Sequence, residues 1–201
     1  MNTRVLVFPC GSEIGLEIHR ALAWSTHITF FGASSESSNH GKYVFDNYIE
    51  GVPFVDNPEF ISKINDVVDT YKIDFIFPAH DSVVVKLAEN NKSLNCKYVG
   101  SPVLTCQICR SKLKTYQLFN SILKVPRIYK EVNDELTFPL FLKPDVGQGS
   151  KGTYLVNSKY EVDFYVKKDP TLLVLEYLPG IEYTVDCFSD RYGVLRFVGA
   201  S

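Results

Sequence analysis

FLKPDVGQGSKGTYLV, residues 141–156, is the stretch on which the fold turns. An apolar run beginning at Phe138 ends on Lys143 and Pro144, and a loop carrying Gly147, Gly149, Ser150 and Gly152 follows before the apolar residues resume. The pattern puts a lysine at the end of a strand with a flexible turn directly after it. Glycine allows close backbone approach and positive φ, so successive N–H groups can face phosphate oxygens while the lysine supplies a point charge from a rigid element. The lysine precedes the glycines and GxxxxGK[ST] is absent, so this is no Walker P-loop. A glycine-rich hairpin with an incidental lysine reads the same residues without a ligand.

A second constellation, LLVLEYLPGIEYTVDCF at residues 172–188, runs an apolar strand into Glu176, Tyr177 and Leu178, a Pro-Gly turn, and then Glu182. A carboxylate can accept from two vicinal hydroxyls, and backbone N–H and C=O groups can read the rim of a purine. Taken together, the two stretches resemble the ATP-grasp superfamily. By that resemblance Lys143 contacts the phosphates of ATP and Gly147, Gly149, Ser150 and Gly152 cover them. Glu176, Tyr177 and Leu178 line the adenine, and Glu182 accepts the ribose hydroxyls. Upstream, CRSKLKTYQLF at residues 109–119 resembles the entrance to the same domain, which makes Lys112 the cation for the α-phosphate, with Arg110 and Lys114 as alternatives. A solvated helix face with three cations is the competing account.

The pattern before residue 100 is different. RVLVF, a break at PCGSEIG, helical spacing through Ile14, Ile18, Ala21 and Leu22, and the strand HITFF predict strand, turn, helix and strand. The motif recurs: Pro58 opens a helix carrying Phe60, Ile64 and Val68, residues 74–77 form a buried strand, and Asp81 is expected to cap the next helix. A short strand near Tyr98 and Val99 closes the set. Alternating strands and helices predict a parallel sheet covered on both faces. Two helices, 103–109 and 111–122, come next, and from Thr137 onward the chain reads as strands with one helix at 158–166. SDRYG between the last two strands suits a hairpin turn.

The expected architecture is therefore α/β, with a Rossmann-like parallel-sheet domain at 1–100 and an incomplete α+β ATP-grasp domain at 101–201. Linker helices occupy 101–125, and the ATP-binding strands and glycine loop 137–201. The resemblance extends over most of the chain, since such a unit precedes the domain in the superfamily, and it is nearest to carbamoyl-phosphate-synthase-like ligases. It implies ATP and Mg²⁺ as cofactors. The family's metal-holding acids and Asn are expected beyond Ser201, so no metal ligand and no catalytic residue is assigned here, and the chain is expected to be an incomplete ATP site that does not turn over.

Composition narrows the remaining choices. With 45% hydrophobic and 22% charged residues, the chain has the make-up of an ordinary globular protein. A net charge of -2 speaks against general nucleic-acid binding, which needs clustered Lys and Arg. The longest apolar runs are strand-length, far below the roughly 20 residues of a membrane span. Five scattered cysteines and no leader ahead of Val5 suggest a reducing, cytoplasmic setting. Cys106 and Cys109 lack the second ligand pair of a zinc site, so core packing is expected for both. Gly11 and Gly15 do not complete GxGxxG, which argues against a dinucleotide.

Two functions follow as expectations. The first is an ATP-dependent carboxylate–amine (or ammonia) ligase working through an acyl phosphate, with ATP and a small carboxylic acid as ligands and a homodimer as candidate assembly. The second is a non-catalytic module that binds a small molecule or assembles with a subunit.

Overall fold

The fold was taken from a computed structural model, which describes residues 2–130, 136–147 and 149–200. It separates into two compact units between Thr115 and Tyr116. The change of texture read at Gly100 lies upstream of this division because the first of the two intervening helices packs with the parallel-sheet unit.

In the first unit the order is β1 (Thr3–Phe8), α1 (Glu13–Leu22), β2 (Ile28–Ala33), β3 (Tyr48–Ile49), α2 (Phe60–Tyr71), β4 (Phe75–Pro78), α3 (Asp81–Glu89), β5 (Lys97–Tyr98) and α4 (Val103–Arg110). The sheet is parallel throughout, with strand order β3-β2-β1-β4-β5. Alternation along β1 explains the two-sided core. Leu6 and Phe8 pack with Phe60, Ile64 and Val68 of α2 and Val83 and Leu87 of α3, while Val5 and Val7 face the other way, toward Ile18 of α1 and Phe45. Gly15 permits α1 to start where it does, because a Cβ there would lie 2.7 Å from the carbonyl oxygens of Pro9 and Cys10. β3 is a two-residue edge strand, too short to leave a periodic signal in the sequence.

Two expectations are corrected. The cap of α3 is His80, whose Nδ1 accepts the Ser82 N–H at 3.3 Å; Asp81 is instead the first helical residue and forms a 2.8 Å ion pair with Arg110 of α4. Cys106 is buried, 3.7 Å from the Tyr98 hydroxyl, as core packing requires, but Cys109 is exposed.

α5 (Lys112–Phe119) contains the division between the units. The second unit continues with β6 (Ile128–Tyr129), β7 (Leu140–Pro144), β8 (Tyr154–Val156), α6 (Lys159–Lys168), β9 (Leu172–Glu176), β10 (Val185–Ser189) and β11 (Leu195–Ala200). Four strands form an antiparallel sheet in the order β6-β9-β7-β8, and β10 and β11 form a separate hairpin. Leu140, Leu142, Leu172 and Val174 share one sheet face and pack with Val162 of α6. Ser158 starts α6 by accepting the Glu161 N–H, while the Glu161 carboxylate accepts from the Asn157 N–H at 2.6 Å, a reciprocal arrangement close to a capping box. The SDRYG turn forms as expected: Gly193 has φ 77°, and the Asp190 carboxylate accepts from the N–H groups of Tyr192 and Val194 and from Arg196 Nε. The Arg196 bond is the main reason the Asp190 carboxyl is held below its usual range.

Candidate functional site

Strand alternation sets the position of Lys143. Because Leu140 and Leu142 point into the core, Phe141 and Lys143 are left on the opposite face of β7, and the Lys143 ammonium lies 5.4 Å from the Tyr116 ring centroid and 5.9 Å from that of Phe141. An ammonium within about 6 Å of an aromatic face is attracted by the ring quadrupole, so the two rings orient the cation. Directly after β7, Gly149, Ser150 and Gly152 have φ of 60°, 53° and 73°. A Cβ at Gly149 would meet nothing within 4 Å, so the requirement for glycine there comes from backbone conformation and not from space. Thr153 Oγ1 donates to the Ser150 carbonyl at 2.9 Å and closes the turn. Gln148, inside this loop, lies outside the described residues.

The second constellation begins at the far end of the neighbouring strand. Lys143 pairs with Leu173 and Glu176 with Leu140, so the two lie three register steps apart, about 10 Å along the strands. Directly paired residues share a face, which places the Glu176 side chain on the core side with Leu140 and Lys143 on the opposite side. Glu176 is already engaged with the segment leading into β6. Its N–H donates to the Arg127 carbonyl at 2.8 Å, and its carboxylate accepts the Arg127 N–H at 3.1 Å. Tyr177 and Leu178 follow outside regular structure and are exposed, as is Glu182 beyond the Pro179-Gly180 turn.

Lys112 is the first residue of α5 and is half-buried, and Ser111 before it accepts the Lys114 N–H at 3.1 Å. Lys112 belongs to the first unit and Lys143 to the second. Of the two alternative cations, Arg110 is committed to Asp81, while Lys114 is exposed.

Some neighbours of this site were not singled out from the sequence. Tyr116, which carries the Lys143 ammonium, reads as one aromatic among several on a weakly amphipathic helix. Lys124 and Arg127 line a cavity of about 410 Å³, together with Tyr116 and Ile128, where the end of α5 leads into β6. The flanking Val125-Pro126 registered in the sequence only as a helix break. Among the described residues no group of three or more His, Cys, Asp and Glu is gathered to hold a metal ion. No described helix is long and apolar enough to cross a membrane.

Comparison with known proteins converges on one domain type. Residues 109–198 match the ATP-grasp domain family. A D-alanine–D-alanine ligase from Fusobacterium nucleatum is 36% identical over 107 residues, covering 52% of this chain and 37% of the relative. Among solved structures, an L-amino acid ligase from Bacillus licheniformis superposes with a TM-score of 0.69 at 16% identity, covering 99% of this chain and 50% of the other. The biotin carboxylase domain of Hydrogenobacter thermophilus 2-oxoglutarate carboxylase, a dimer in complex with MgADP, ADP and bicarbonate, gives 0.73 at 19% identity, covering 97% and 49%. At these identities the structural likeness is one of fold. The chain spans less than half the length of the Fusobacterium relative and about half of each solved structure.

Proposed function

We propose, from the match of residues 109–198 to the ATP-grasp domain family, that the protein binds ATP and serves an ATP-dependent ligase that joins a small carboxylic acid to an amine or ammonia. The observation that carries the proposal is the Lys143 ammonium, held over Tyr116 at the end of β7 beside a turn with three positive-φ residues. Such a turn can present N–H groups to phosphate oxygens while the lysine neutralises charge. The named relatives are ligases and carboxylases, which supports the reaction class. The nearer resemblance to carbamoyl-phosphate-synthase-like ligases rests on the sequence motifs alone.

In this reading Lys143 contacts the phosphates and the loop from Gly147 to Gly152 covers them, while the assignment of Lys112 to the α-phosphate rests on the sequence resemblance alone. Since the Glu176 N–H is taken by Arg127, the adenine rim falls to the backbone of Tyr177 and Leu178, with Glu176 bracing the hinge through its carboxylate. Glu182, exposed after the turn, accepts the ribose hydroxyls. The reaction has two displacements. A substrate carboxylate oxygen bonds to the γ-phosphorus as the bond to ADP breaks, and the amine nitrogen then bonds to the acyl carbon as phosphate leaves. The protein needs no nucleophile of its own, because positioning and charge neutralisation do the catalytic work.

Calorimetric titration with ADP and a non-hydrolysable ATP analogue tests the nucleotide site. Lys143→Ala is expected to weaken binding about 10- to 100-fold, the effect of losing one charge-assisted phosphate contact. Absence of saturable binding, or equal affinity in the variant, would refute the assignment.

A further inference from the structure

Two aromatic rings from different elements meet the Lys143 ammonium. Phe141 and Lys143 stand on the same face of β7 because strand side chains alternate, and the Phe141 ring centroid lies 5.9 Å from the ammonium. Tyr116 brings its ring from α5 to 5.4 Å. Both residues and Lys143 belong to the second unit. Phe141 travels with Lys143 on one strand, so Tyr116 is the ring that fixes the ammonium relative to another element.

Core packing does not account for Tyr116. The described residues of α5 include none that is buried, and Tyr116 itself is only half-buried. It is also absent from the apolar side chains packed against the core of the second unit, where Tyr129, Tyr154 and Tyr165 are found. The contact with Lys143 is the interaction that its ring makes.

Such a contact has a consequence for a ligand. Lysine carries its charge on a long flexible stem, and confining that stem on a phosphate costs conformational entropy. A ring that holds the ammonium beforehand removes part of this cost from the binding step. A carboxylate would hold the ammonium too, but it would cancel the charge, whereas the ring quadrupole attracts the cation and leaves its unit charge for the phosphate. Resting on the reading that Lys143 contacts nucleotide phosphates, we propose that Tyr116 is a positioning residue for that contact, so that nucleotide affinity depends on an aromatic side chain at position 116.

Calorimetric titration of the whole chain with ADP, in a cycle of Tyr116→Leu, Lys143→Ala and the double variant, tests the role. Tyr116→Leu should weaken ADP about 3- to 10-fold, and Tyr116→Phe, which keeps the ring, should bind within about twofold of the native chain. In the Lys143→Ala background Tyr116→Leu should cost nothing further, because the ring then has no cation to hold. A second readout needs no nucleotide. In ¹H–¹³C NMR the Lys143 ε-methylene protons, identified by their loss in Lys143→Ala, should be shifted upfield by the ring in the native chain and in Tyr116→Phe. They should move back toward the position of an exposed lysine in Tyr116→Leu. Far-ultraviolet circular dichroism checks that this variant folds, and if it does not, Tyr116→Met replaces it. The proposal is overturned if the native signal is unshifted, if Tyr116→Leu binds ADP as the native chain does, if Tyr116→Phe is as weak as Tyr116→Leu, or if the loss persists without Lys143. Native-like affinity in Lys143→Ala would overturn the nucleotide reading and this role with it, whereas a weakened Lys143→Ala beside an unaffected Tyr116→Leu would overturn the role alone.

Discussion

Lys143 and Cys10 illustrate how position gives a side chain its character. Lys143 was legible because its neighbours are: a lysine closing an apolar run, followed by glycines, is a local pattern. Cys10 gave no such signal, yet it is fully buried beside the start of α1, and that burial pushes its thiol from the ordinary 9.0 up to about 12. The unfolded chain therefore releases this proton at lower pH than the folded one. Stability from Cys10 is full below about pH 9 and is lost as pH rises toward 12. Urea midpoints measured between about pH 8 and pH 10 should fall more steeply for the native chain than for Cys10→Ala, because the variant has no thiol to ionise. Parallel curves would show that Cys10 does not titrate differently in the two states. At Glu176 the sequence supplied the residue and the Pro-Gly turn after it but not its partner. The bond to Arg127 spans 49 positions, and no local pattern encodes it.

At the scale of elements, legibility followed length and contrast. β1, α2, β4 and β9 are apolar or amphipathic over several residues and stand close to where the sequence puts them, although α2 begins at Phe60, and Pro58, expected to open it, lies in the preceding turn. β3 and β6 have two residues each and exist because a neighbouring strand pairs with them. α6 starts close to the expected position 158, where Ser158 and Glu161 satisfy two N–H groups reciprocally. Ser158→Ala should destabilise the second unit by about 1 kcal/mol, while Ser158→Asp, which keeps an acceptor at the cap, should restore most of the loss. Chemical denaturation followed by far-ultraviolet circular dichroism measures both, and equal stability of all three proteins would show that the cap is unimportant. The cap of α3 was misassigned because His80 and Asp81 are adjacent acceptors. His80 has the extended backbone of a cap, whereas Asp81 is already helical and pairs with Arg110.

At the scale of the molecule, the two units differ in how completely they cover their apolar residues. The parallel sheet is packed on both faces, whereas the hairpin of β10 and β11 leaves Phe188 and Phe197 paired in register and 59% and 56% exposed. An exposed apolar patch of this kind binds hydrophobic dyes. Replacing both by Ser should lower anilinonaphthalene sulfonate fluorescence at unchanged far-ultraviolet ellipticity, and undiminished fluorescence would locate the dye elsewhere. The sequence by itself determined the class of each half, the parallel α/β order, the strand-ending Lys143, the glycine loop and the Pro-Gly turn after β9, because those depend on periodicity, turn chemistry and residues a few positions apart. Only the tertiary structure decided that Lys143 and Glu176 lie on opposite faces of one sheet and that Tyr116 carries the Lys143 ammonium. Those relations follow from strand register and from a contact between a helix and a strand, which join residues distant in the chain and leave no local trace in it.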